Sequence, residues 1–264
     1  MHGQGTAPTV AGHLTRMRLL LLLLLTTTSA LRADALADLQ AKVSQLAGTD
    51  PVAGTIELAF ADVSGDEKQP TRTEGRAHAR IALGAEGLQI GWSPEQLATA
   101  LREQAESAGK PKQPAPTHQA MARLNATAVL DYLNAAQELL RELEVAHLVS
   151  VQDDRWHEQP ARLLTLKLDP PLSDEDRKVI KKIEATARVW VGQDGVPLAA
   201  ESTLSLKGRV MLVISFEHSQ KETFQFTRVG QRLLVAGHTK ETADNGGGQH
   251  ARSTTQATLQ LAPL

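Results

Sequence analysis

His147, Asp153, Asp154 and His157 lie close together in the sequence and carry the imidazole nitrogens and carboxylate oxygens that bind transition metals. Their spacing matches no standard metal site, and Asp153-Asp154 fall in a polar connection. Ordinary solvated side chains are therefore expected, and no metal or cofactor is assigned. His218, His238 and His250 fall near strand ends, where exposed histidines are common. Asp174, Glu175 and Asp176 offer paired carboxylates of the kind glycoside hydrolysis uses, but adjacent acids at a helix start are what the helix dipole favours. The chain has no Gly-x-Ser-x-Gly elbow, no His-Glu-x-x-His, no phosphate loop and no cysteine. These residues give no reason to expect an enzyme.

Apolar residues offer a different chemistry, which is binding by burial. Ile56, Leu58, Ile90, Trp92, Val189, Leu212, Ile214, Phe216, Phe224 and Phe226, with Val210, form the apolar face of a run of strands. Such a face either packs as core or, where it fails to fill, lines a ligand cavity.

The elements that must position these residues follow from periodicity. Leu36, Leu39, Val43 and Leu46 recur at helical spacing over 34–47. A period of two then marks strands around Ile56–Phe60, Ala77–Leu83 and Leu88–Trp92. Ser93-Pro94 with Gln96 starts a helix over 94–108, its apolar stripe being Leu97, Leu101 and Ala105. Three prolines make residues 110–116 an exposed loop, and a further helix is clearest over 127–144. Strands over 145–151 and 162–168 flank a polar connection, and an acidic helical turn opens at Ser173. A meander follows over 185–191, 198–206, 210–217, 223–229, 233–238 and 254–261. Its turns are placed at Gln193-Asp194-Gly195, Lys207-Gly208, His218-Ser219-Gln220, Gly230-Gln231 and 244–248. The expectation is an α+β fold: about eleven antiparallel strands in a strongly curved half-barrel, with helices on its concave face.

Arg16 and Arg18 precede seven leucines, Leu19–Leu25, and small residues ending in Ala33-x-Ala35. That is the pattern of a secretory signal peptide, expected over residues 1–35, with one domain over 36–264 carrying a helical insert at about 93–144. Residues 1–33 hold three of the 28 basic and none of the 30 acidic side chains, which leaves 25 against 30, or −5. That balance argues against nucleic acid as a partner. Export without disulfides suggests the periplasm.

The order of leader, N-terminal helix, strands, mid-chain helices and long meander resembles the periplasmic lipoprotein-carrier superfamily, the LolA/LolB-like fold. The most similar stretch is Ala187–Leu198, a strand with the Asp194-Gly195 turn and a Pro197-Leu198 re-entry. Arg162–Leu168, after its polar hairpin, is another. The resemblance implies a half-barrel whose apolar cavity holds acyl chains. The expectation is thus a soluble periplasmic carrier for a lipid or other apolar molecule. Its rival is a non-enzymatic envelope scaffold or assembly protein with a filled core and a protein partner.

Overall fold

The computed structural model describes residues 35–65, 69–110, 113–210 and 214–262. The leader and Leu212 lie outside the described residues.

Alternating side chains build the sheet. In β1 (Val52–Gly65), Ile56, Leu58 and Phe60 turn to one face, and Ala77, Ala79 and Ile81 do the same in β2 (Thr71–Gly84). Register aligns them in rows: Ile56 faces Ala79 and Leu259, and Leu58 faces Ala77 and Ala257 of β10 (Gln249–Leu261). The other strands are β3 (Gly87–Gly91), β4 (Ala146–Trp156), β5 (Gln159–Leu168), β6 (Ile180–Gly192), β7 (Pro197–Val210), β8 (Ile214–Val229) and β9 (Arg232–Gly246). All ten form one antiparallel sheet in the order β3-β2-β1-β10-β9-β8-β7-β6-β5-β4. The end strands β3 and β4 do not pair with each other, so the sheet is curved but not closed.

Helices cover one face. The first, α1 (35–45), buries Ala35, Leu39 and Val43. Its exit is fixed to the middle of the sheet, where Leu233 N–H donates to the Leu46 carbonyl and Gly48 N–H to the Gln231 carbonyl. Then come α2 (Pro94–Ser107), α3 (Pro116–Arg123), α4 (Ala126–Leu133) and α5 (Ala135–Glu144). Two packed regions result. Residues of α1 and α5 meet Leu164, Leu166, Val189 and Leu233, while residues of α3 and α4 meet Ile56, Leu58, Ile81 and Leu259. Tyr132 packs against both. Polar ties fix the helices in place. Arg123 reaches from α3 to Asp62 of β1 at 2.5 Å and Thr255 of β10 at 3.0 Å, over the ring of Phe60. Glu103 of α2 accepts from the backbone N–H groups of Thr117 and His118 at the start of α3. The short α6 (Asp174–Val179) carries a complete Ser173–Asp176 capping box.

The structure corrects several expectations. The strands number ten, not eleven, because 210–217 and 223–229 belong largely to one strand, β8. His218, Ser219 and Gln220 sit inside it, and Gly208 sits inside β7 opposite Phe216 rather than in a turn. Gly208 is there because Phe216 and the Val179 carbonyl leave no room for a Cβ. The connection between β4 and β5 is also tighter than expected. Only His157 and Glu158, at φ 44° and 68°, form the turn, as a two-residue hairpin requires. On α2, Leu97 and Leu101 point outward at 40% and 64% exposure, while Gln96 and Ala100 face inward. Gln96 is turned in because its side-chain oxygen takes the His78 N–H on a stretch of β2 beyond its pairing with β3, satisfying a sheet-edge donor.

Candidate functional site

The helices leave part of their face of the sheet uncovered. There, Ala185, Leu204, Gln220, Thr242 and Ser253 lie side by side across β6, β7, β8, β9 and β10. They floor an open trough of about 1200 Å³, with Pro170, Pro171, Leu172 and Arg177 on its rim. One flank is apolar (Leu168, Leu172, Ile183, Leu204), whereas the other is hydroxyl- and amide-bearing.

Toward α4 and α5 the trough meets a second, narrower cleft of about 360 Å³. Small side chains create this space: Ala128 and Ala135 on the helices and Ala200 on β7 stand where larger residues would fill it. Phe224 and Phe226 form an aromatic wall, their rings nearly parallel at 6.3 Å, and His238 stacks on Phe224 at 4.5 Å. A polar chain crosses the floor. The Tyr132 hydroxyl lies 3.0 Å from His238 Nδ1, His238 Nε2 lies 2.7 Å from Glu222, and Lys240 Nζ donates to Glu222 at 3.1 Å. Glu222 and His238 are only 14% and 12% exposed. Gln220 of the trough also donates to Glu222, so this carboxylate stands where the two spaces meet.

Electrostatics sharpen the picture. Burial raises the Glu222 pKa, but the hydrogen bond with His238 and the charge of Lys240 outweigh it and hold the carboxyl below its ordinary value. Burial, then the Glu222 and Asp131 charges, push the Tyr132 phenol up to about 12. Burial and Glu222 likewise raise Glu142. Among the described residues the Glu142 side chain has no hydrogen-bond or ion-pair partner.

The residues expected to line a cavity are distributed among several places. Phe224 and Phe226 line the cleft. Ile90 and Trp92 border a shallow space against Met121 and Leu124. Ile56, Leu58 and Val189 are packed in the two cores. Phe216 covers Gly208 and Gly246 toward the far end of β8, with Ile214 and Val210 exposed beyond it. The four metal-donor residues do not converge: His147 pairs with Asp169 at 3.2 Å, and Asp154 accepts from Trp190 Nε1 at 2.9 Å. No group of metal-binding side chains occurs among the described residues. His218 contacts Asp244 and His250 contacts Asn245, each at 2.6 Å.

Sequence reasoning passed over Tyr132, Glu222 and Glu142, and it read His238 as an exposed strand-end histidine, whereas the side chain is largely buried within β9. Placing a turn at 218–220 hid the one available signal, the alternation of His218, Gln220, Glu222, Phe224 along one face of a single strand.

No family model and no curated protein matches this chain. Among solved structures, one match is a crystal structure from Vibrio parahaemolyticus described as a "putative outer membrane lipoprotein-sorting protein domain". Identity is 10%, the match covers 85% of this chain and 92% of that one, and the TM-score is 0.27.

Proposed function

We propose that the protein is a non-enzymatic periplasmic binding protein that carries a lipid or other apolar molecule in the trough and under the helices. The observation that carries this is the trough itself: about 1200 Å³ left open on a face that is densely packed elsewhere. That volume reaches the size of pockets that bury whole small-molecule ligands. The neighbouring polar chain fits a structural tie better than a catalytic group: the Tyr132 phenol beside His238 is pushed up to about 12, whereas an activated nucleophile needs a lowered pKa. No helix among the described residues is long and apolar enough to cross a membrane.

Titration with the neutral fluorophore N-phenyl-1-naphthylamine tests the reading. Saturable binding near one per chain, lost when Leu204→Trp fills the floor, is the expected result. A folded protein that binds no probe, and whose organic extract holds no lipid by mass spectrometry, would reject it. The scaffold reading would then stand, favoured by the outward Leu97–Leu101 stripe on α2 as a surface for an envelope protein.

A further inference from the structure

We propose that the cleft between α4, α5 and strands β7–β9 is the receptor for a protonated amine at the head of the carried apolar molecule, with Glu142 as its counter-ion. This rests on the carrier reading and adds the chemical class of its ligand.

Three observations converge. First, the sign of the lining is unbalanced. Asp131, Glu138, Glu142 and Glu222 border the cleft, and Lys240 is the one lysine or arginine among its lining residues. Lys240 is already spent on Glu222. Arg141, outside the lining, pairs with Glu138. Glu142 is left facing the space with no cation paired to it. An anionic head group would add repulsion there, and a neutral one would leave the imbalance in place. A cation removes it.

Second, the apolar walls suit a cation. The rings of Phe224, Phe226 and Tyr132 border the same cleft, and aromatic faces attract ammonium groups. The cleft volume, about 360 Å³, fits a head group rather than a whole lipid.

Third, the exit leads to the trough. Glu222 borders the cleft, and Gln220, two residues along the same strand, is on the trough floor. From Glu222 to Phe216 the strand runs roughly 20 Å at its usual rise, which is room for an extended alkyl chain. A molecule seated by an amine at Glu142 would thus lay its tail along Leu204 and Ile183.

Competition against bound N-phenyl-1-naphthylamine by dodecylamine, dodecanol and dodecanoate, using the exported full-length protein at pH 7, separates the possibilities. Butylamine serves as a tail-less control. Dodecylamine should displace the probe about tenfold more effectively than dodecanol, with dodecanoate weakest and butylamine far weaker than dodecylamine. Glu142→Gln should reduce dodecylamine to the level of dodecanol and leave dodecanol unchanged. Equal competition by dodecylamine and dodecanol, or dodecanoate as the strongest of the three, would overturn the amine receptor and leave the carrier reading intact. Butylamine as strong as dodecylamine would overturn the link to an apolar tail. No competition by any of them, with no probe bound, would overturn the carrier reading and this inference together.

Discussion

Tyr132 links α4 to β9 through a single ring nitrogen, and its phenol holds its proton to about 12. Because the folded value lies above the ordinary 10, this contribution to stability is complete below pH 10 and is lost as pH rises from 10 through 12. The advantage of wild type over Tyr132→Phe in urea unfolding should shrink across that window, by up to roughly 2–3 kcal/mol. A gap independent of pH would show that the phenol titrates as in water. On the acid side two carboxyls act in opposite directions. Glu142, raised by burial and then by Glu222, favours folding more as it protonates on the way down toward 4.5. Glu222, held low, withdraws its contribution only as pH falls below 4.5. Glu142→Gln should therefore raise the Tm at pH 7 and leave it nearly unchanged at pH 4. Removing an unpaired, mostly buried charge is one of the few substitutions here expected to stabilise.

Helix positions depend on a few close approaches. Gly75 of β2 lies directly beneath Pro116, the first residue of α3, and a Cβ there would meet Phe60 Cε1 at 2.5 Å as well as the Pro116 carbonyl. Gly75→Ala should cost about 1–3 kcal/mol in denaturant unfolding, because backbone on one side and a packed ring on the other cannot both yield. Asn125 caps α4 by accepting from Ala128 N–H at 3.0 Å, and Asn125→Ala should cost about 1 kcal/mol. These elements were unevenly legible in the sequence. Ser93, Asp194-Gly195 and Gly230-Gln231 announced themselves, because caps and short turns are local chemistry. The course of β8 did not. Over an open trough the inward face need not be apolar, so His218 and Gln220 read as a turn. Leu97 and Leu101 misled for the converse reason. The inward face of α2 is chosen by what β2 lacks, a partner for the His78 N–H, and nothing in the helix itself reports that need. The cleft residues come from α4, α5, β7, β8 and β9; the pairing of Phe224 with His238 joins two of the strands, and the packing of the helices on the sheet brings in the rest.

At the scale of the molecule, the cores are dense and the trough is open, so a ligand that binds there should add to global stability. At a hundredfold excess over its Kd, dodecylamine should add about 2.7 kcal/mol, seen in thermal melts as a rise of roughly 5–10 °C. Leu204→Trp should show no rise.

The pairing of β1 with β10 sets the timing of folding. Their ladder runs from Gly54 opposite Leu261 to Gly65 opposite His250, so the first strand of the sheet waits for the last. Without β10, the β1–β3 meander has no hydrogen-bonded connection to the other six strands. Contacts of such sequence separation close slowly, on the scale of milliseconds to seconds. A chain emerging from synthesis can pair β1–β3 and then β4–β9 as two separate meanders, and it joins them only when β10 is made. Until the C-terminal strand arrives, the sheet exists as two parts with open edges on β1 and β9.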